Sequence, residues 1–299
     1  MRGSLRVSRP APLPAWLDRR LYPFAPKQFE TMEGTLSYLD EGRGPVVVLV
    51  HGTPSWSFEF REVVRELAKD HRVIVPDHLG FGLSDKPSRD ALTLAQHRAR
   101  LAALMEALEL QEVTLVVHDF GGPIALPLAL EAESRISRLL VLNSWMWPSD
   151  GDRTIARIDW LVRSPVGRFL YLRLGFSARV ILPSAFADKR RLTPAVRAHY
   201  HGPLDSAPAR AGTYAMALAL KGGDAEYAAL WAARERLAAL PMEIVWGARD
   251  PALTEQHRRR WEATFPKAPL ELLDDAGHFV AEERPDAVVA AVRRLTALA

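Results

Sequence analysis

The stretch Leu115-Val116-Val117-His118-Asp119-Phe120-Gly121-Gly122-Pro123-Ile124 constrains the fold of this chain more than any other. A continuous β-branched run suits a strand buried on both faces. Here the run ends in a turn that opens directly into a helical pattern. The apex of the turn is a carboxylate, Asp119, and two glycines follow it. A side chain exposed on a tight strand-to-helix turn needs small neighbours, because the helix must pack close to the sheet. Gly121 and Gly122 meet that need after the apex, whereas the position two before it is Val117. Taken alone, the segment also reads as a buried strand ending in a helix-capping aspartate.

The same rhythm recurs along the chain. Gln28–Met32 and Thr35–Leu39 alternate like a hairpin about Glu33-Gly34. Pro45–Val50 is an apolar strand ending in His51-Gly52-Thr53-Pro54-Ser55-Trp56, and a helix pattern runs from about Phe58 to Lys69. Arg72–Val75 is the next strand, followed by the loop His78–Pro87. Its Gly80-x-Gly82 lacks the third glycine and the direct helix of a dinucleotide fingerprint. Thr93–Leu110 reads as helix, Val113–Val117 as strand, Gly122–Glu131 as helix and Leu139–Leu142 as strand. From Pro148 to Glu226 the pattern is helical only, broken by Pro165, Pro183, Pro194 and Pro203. Then the rhythm resumes with the helix Ala228–Ala238, strand Met242–Trp246, helix Glu255–Thr264, strand Leu270–Leu273 and a final helix. Strands alternating with helices predict an α/β fold, a mostly parallel sheet with helices on both faces. Residues 1–147 and 227–299 form its core domain, and residues 148–226 an inserted helical cap.

Composition excludes several classes. No apolar run reaches the length of a membrane span. The basic start, Met1 to Arg6, is followed by Pro10, Pro12 and Pro14 where a signal peptide needs its apolar region. A cytoplasmic protein with no membrane partner is therefore expected. Residues 1–25 are expected to lie across the domain surface. The absence of cysteine removes disulfides, thiol nucleophiles and thiolate metal sites. With 39 basic against 36 acidic residues, runs such as Lys189-Arg190-Arg191 and Arg258-Arg259-Arg260 read as solvated helix faces rather than a nucleic-acid footprint.

Three polar residues stand just beyond strand ends in the order Asp119, Asp250, His278. Ligands bind outside the carboxyl ends of strands in such sheets, and a histidine base needs an acid to fix its tautomer. These residues, with His51-Gly52-Thr53-Pro54, Asp77 to Ser84, His118 to Gly122, Asn143 to Pro148 and Asp275 to Phe279, resemble the haloalkane dehalogenases of the α/β-hydrolase superfamily. The likeness runs from about Leu21 to the C-terminus and is greatest for the subgroup with an Asp-His-Asp triad. It implies Asp119 as nucleophile forming an alkyl ester, His278 as the base that activates water, and Asp250 as its acid. It also implies the N–H groups of Thr53 and Phe120 as the oxyanion hole. Neither cofactor nor metal is implied, and His199-x-His201 with Asp205 reads as part of the cap. The expected substrate is a small apolar molecule, hydrolysed by water.

Two positions depart from that family. Its members place Trp after the nucleophile and a second donor in the His-Gly-x-Pro loop or the cap, to hold the departing halide. Here those positions are Phe120 and Thr53. Losing one such donor costs about 10²–10³ in rate. Trp145, Trp147, Trp160 and Trp231 are candidate replacement donors, Trp145 being best placed. Trp145 and Trp56 are also candidate substrate contacts. Epoxide hydrolysis is the alternative, with Tyr171, Tyr200 and Tyr214 in the cap as possible ring-oxygen donors. A non-catalytic ligand-binding homologue is the second alternative.

Overall fold

The computed structural model describes residues 13–131 and 133–297. Its centre is a sheet of eight strands: β1 (Lys27–Thr31), β2 (Gly34–Gly42), β3 (Val46–Val50), β4 (Arg72–Pro76), β5 (Val113–Asp119), β6 (Ile136–Ser144), β7 (Met242–Gly247) and β8 (Leu270–Leu273). Their order across the sheet is β1-β2-β4-β3-β5-β6-β7-β8. β2 runs antiparallel to both neighbours, and β4 through β8 pair in parallel. The β1–β2 hairpin turns at Met32-Glu33, one residue earlier than its Glu-Gly pair suggests, because Thr31 pairs with Gly34.

The central strands are continuous apolar runs because both faces are covered. Alternate side chains divide between two cores. Val48, Val50, Leu115, Val117 and Trp246 face one. Val47, Leu49, Val116, Leu140 and Val245 face the other. The first core is closed by the helix Leu94–Ala107 and by Trp261 of Glu255–Thr264. The second is closed by Arg61–Leu67 and Pro285–Thr296. Leu94–Ala107 starts at a reciprocal cap, in which Thr93 and Gln96 each bond the other's backbone N–H. The helix after β5 is shorter than its periodicity suggests. It stops at Ala125 and continues as the 3₁₀ turn Leu126–Leu130, since Pro127 has no N–H to give.

Between β6 and β7 the described residues contain helices and turns but no strand. The principal helices are Arg153–Arg163, Pro165–Leu172, Pro194–His201, Ala211–Gly222 and Asp224–Ala232. The prolines that break the pattern start new helices: Ser164 caps the helix opened by Pro165, and Thr193 that opened by Pro194. Residue 226, the expected end of the insertion, falls inside Asp224–Ala232. Residues 1–12, with the basic start and its prolines, lie outside the described residues. From Leu13 on, the leading segment does more than cross the surface. Leu17, Tyr22 and Phe24 are buried, and the Tyr22 hydroxyl meets Ser57 Oγ at 2.6 Å.

Candidate active site

Asp119 ends β5 with φ of +50°. That is the left-handed region, uncommon and strained for a residue with a side chain, and the packing around it holds it there. A Cβ on Gly121 would lie 2.2 Å from the Val50 carbonyl oxygen, and one on Gly122 2.0 Å from Ser144 Oγ. The two glycines therefore let the helix start against β3 and β6. Ser144 Oγ in turn donates to the Asp119 carbonyl at 2.7 Å. Gly52 makes room for the carboxylate itself, because a Cβ there would sit 2.1 Å from Asp119 Oδ1. That oxygen accepts the Thr53 N–H at 2.8 Å.

Asp250 and His278 arrive on the loops after β7 and β8. His278 Nδ1 lies 2.7 Å from Asp250 Oδ2 and its Nε2 3.5 Å from Asp119 Oδ2. All three residues are buried. Asp250 is fastened from both sides: Oδ1 accepts the N–H groups of Ala252 and Leu253, and Oδ2 accepts Asn143 Nδ2 at 2.7 Å. Asn143, itself at φ +27°, also accepts from the Gly247 N–H at 2.8 Å. The His278 loop is anchored on the helical insertion. The His278 N–H donates to the Ala185 carbonyl, and Glu283 accepts the N–H groups of Gly277 and Asp188.

Burial opposes charge on each of these groups, yet their mutual attraction prevails. For His278, the charges and hydrogen bonds of Asp250 and Asp119 outweigh burial and hold the imidazole well above its ordinary value. Burial by itself would raise Asp119, but His278, the charge of His118 and the Thr53 N–H keep it below the ordinary carboxylate value. Asp250 is lowered in the same way, against burial, by His278, the Leu253 N–H and Asn143. Such an assembly can present a carboxylate to an electrophile and move a proton to or from the ring beside it.

Several contributors were not singled out from sequence. His118, next to the apex, spans Glu59 (3.1 Å from Nδ1) and the His278 carbonyl (2.9 Å from Nε2). Asn143 and Ser144 close an apolar strand with polar residues and belong to the stretch Asn143 to Pro148 that carries the family resemblance, but neither was given a role at the site. Glu59 and Glu283 sit in helical patterns and carried none.

The tryptophans separate clearly. Trp145 meets Phe120 edge to face, with ring centroids 4.7 Å apart. Its indole N–H has no hydrogen-bond partner among the described residues. The Thr53 hydroxyl is also buried without a partner. Trp147 and Trp231 pack against each other at 5.7 Å, and Trp160 is exposed. Trp56 must be corrected as a substrate contact. It is fully buried against Tyr22 and Phe58, and its N–H donates to the His199 carbonyl at 3.0 Å. Of the three tyrosines of the insertion, Tyr171 packs against Tyr214 with ring centroids 5.9 Å apart, and the other two have committed hydroxyls. Tyr200 donates to Glu282 and Tyr214 to the Val162 carbonyl. His199 accepts the Asp18 N–H and stacks on Phe58, which commits it to packing.

A family model described as the alpha/beta hydrolase fold matches residues 45–285. The chain belongs to the α/β-hydrolase family. Among its relatives is haloalkane dehalogenase 2 of Mycobacterium tuberculosis, 33% identical over 92% of this chain and 96% of that protein. A cis-3-alkyl-4-alkyloxetan-2-one decarboxylase of Shewanella oneidensis is 34% identical over 91% of this chain and 88% of its own. Among solved structures, an ancestral haloalkane dehalogenase superposes with a TM-score of 0.79 at 25% identity, covering 90% of this chain and 99% of that one. This hydrolase is thus an enzyme of the haloalkane dehalogenase-like group. Among its described residues no helix is long and apolar enough to cross a membrane.

Proposed function

We propose that this hydrolase cleaves a carbon–halogen bond of small apolar substrates through an ester on Asp119. The observation that carries the reading is the disposition of the Asp119 carboxylate. One oxygen rests on the Thr53 N–H and the other lies 3.5 Å from His278 Nε2, while the opposite ring nitrogen is held by Asp250. A carboxylate oxygen attacks the carbon, the halide leaves with the bonding electrons, and a neutral ester forms. Alkylation removes one of the two anions that hold the imidazole proton. His278 can then release that proton and act as a base toward water at the ester carbonyl. The oxyanion is received by the N–H groups of Thr53 and Phe120. Collapse frees the alcohol and restores the carboxylate. In this reading residues 148–226 serve as the cap, and the unpartnered donors of Trp145 and Thr53 stand in for the halide donors that Phe120 cannot supply.

A second reading is favoured by Phe120 and Thr53. Opening a strained four-membered lactone keeps the leaving oxygen tethered and needs no halide site, and a relative named for an oxetanone reaction matches most of the chain. Epoxide opening draws less support, because two of its three candidate donors, the hydroxyls of Tyr200 and Tyr214, are already bonded elsewhere.

The test is intact-mass measurement of His278→Phe after incubation with bromoalkanes, epoxides and 3,4-dialkyloxetan-2-ones. An alkyl increment on Asp119 supports dehalogenation. A lactone-derived or hydroxyalkyl increment moves the substrate class accordingly. No adduct with any of them, together with no turnover by the parent chain, overturns the covalent reading in favour of a binding protein.

A further inference from the structure

Large apolar side chains that stand exposed are gathered in one place. Outside residues 158–181, those among the described residues are Met32 and Leu272. Within that span Ile158, Trp160 and Leu161 lie on the helix Arg153–Arg163, and Val166 and Phe169 on Pro165–Leu172. Trp160 is 74% exposed, Val166 61% and Phe169 54%. A soluble surface scatters such residues singly, and a run of them on adjoining helices marks an interaction face.

The charge on these helices is predominantly positive. Residues 153–181 contain Arg153, Arg157, Arg163, Arg168, Arg173 and Arg179, all exposed, against a single acid, Asp159. Asp159 is paired with Arg163 at 2.8 Å. Arg157 and Arg163 flank Trp160 at three residues before and after, so they share its side of the helix. The opposite side is inward: Val162 is buried, and its carbonyl accepts the Tyr214 hydroxyl. Beside the second helix lies an open groove of about 750 Å³, lined by Phe169, Leu172 and Tyr214, by the guanidinium-bearing Arg89, Arg168 and Arg173, and by one acid, Asp90.

We propose that this outer face of the helical insertion docks on an anionic lipid bilayer. Exposed Trp and Phe interleaved with arginine on short amphipathic helices suit the headgroup boundary, where rings enter the acyl edge and cations meet phosphates. A second copy of the chain is a poor occupant, because a two-fold contact would set these arginines against one another. Docking would hold the hydrolase where apolar molecules concentrate. It does not depend on which leaving group the site takes.

The test is co-sedimentation of the full chain with vesicles of phosphatidylcholine alone and with phosphatidylglycerol added. The chain binds the anionic vesicles, and high salt releases it. Arg157→Ala/Arg168→Ala weakens binding about 30-fold, from roughly 1 kcal/mol per arginine near an anionic surface. Trp160→Glu/Phe169→Glu abolishes it with an unchanged melting temperature, since both side chains stand in solvent. Failure of the parent chain to bind anionic vesicles at low salt overturns the proposal. So does binding that survives in the Trp160→Glu/Phe169→Glu variant. A dimer in sedimentation velocity that this variant dissolves would assign the face to a second copy instead.

Discussion

Replacing Gly121 by alanine adds one methyl group where the elbow touches β3. The new carbon would lie 2.2 Å from the Val50 carbonyl oxygen and 2.9 Å from its carbon. Ordinary heavy-atom contact needs about 3.5 Å, so the strand and the start of the helix must part by about 1 Å. Neither side can give by rotating a side chain, because the obstacle is backbone. Val50 leads directly into His51, Gly52 and Thr53, and the Thr53 N–H holds Asp119 Oδ1 at 2.8 Å. A separation of that size takes this hydrogen bond out of range. Gly121→Ala is therefore expected to lose about 1–3 kcal/mol of stability from overpacking. It is also expected to lose about 10²-fold in kcat from the displaced donor and carboxylate. Urea unfolding monitored by circular dichroism reads the first. Turnover of the substrate identified by adduct formation reads the second. A variant with parental stability and parental kcat would refute the argument that this glycine sets the distance between the elbow and β3.

Three further outcomes follow from the same geometry. Asn143→Ala leaves the Gly247 N–H without its acceptor and Asp250 short of a donor; denaturant unfolding should show a loss of about 1–3 kcal/mol, with a lower kcat. Trp145→Phe keeps the contact with Phe120 but removes the unpartnered N–H; if that N–H holds a leaving halide, kcat with bromoalkanes falls about 10²–10³-fold, and an unchanged rate rules the role out. The pH dependence of folding has a defined sign. His278 is raised above 6.5, so its contribution is complete below 6.5 and is lost as pH rises through its folded value. Asp119 and Asp250 are lowered below 3.8, so theirs is present above 3.8 and lost as pH falls through their folded values. Thermal melts should show the parent chain losing its advantage over His278→Gln above pH 6.5.

Much of the architecture was legible along the chain. Strands buried on both faces read as apolar runs, so β3, β5 and β7 announced themselves. Glu255–Thr264 and Leu270–Leu273 fall where the periodicity places them. Less legible were features set by a neighbour in space. The helix after β5 stops early at Ala125, ahead of Pro127, and the leading segment turns inward at Tyr22. Trp56 resembled a ligand contact because it follows the His-Gly-Thr-Pro loop, yet packing against Tyr22 and Phe58 takes it elsewhere. The arginines between Arg153 and Arg179 are scattered in sequence and form no run. Their meaning changed once Trp160, Val166 and Phe169 were found exposed among them.

At the site the division is equally clear. Sequence by itself determined that Asp119, Asp250 and His278 end up at the carboxyl edge of one sheet, because each directly follows a strand or its loop and strand direction is set by local pattern. It also determined that Phe120 carries no side-chain donor, which is a property of the residue. Only the tertiary structure decided the distances within the site: 2.7 Å from the His278 ring to Asp250 and 3.5 Å from the ring to Asp119. Those are set by Gly52, Gly121, Asn143, Ser144 and Glu283, which come from four separate segments, Asn143 and Ser144 being neighbours at the end of β6. Their effect lies in close approach and in hydrogen bonds across the fold, and neither leaves a periodic trace in the chain.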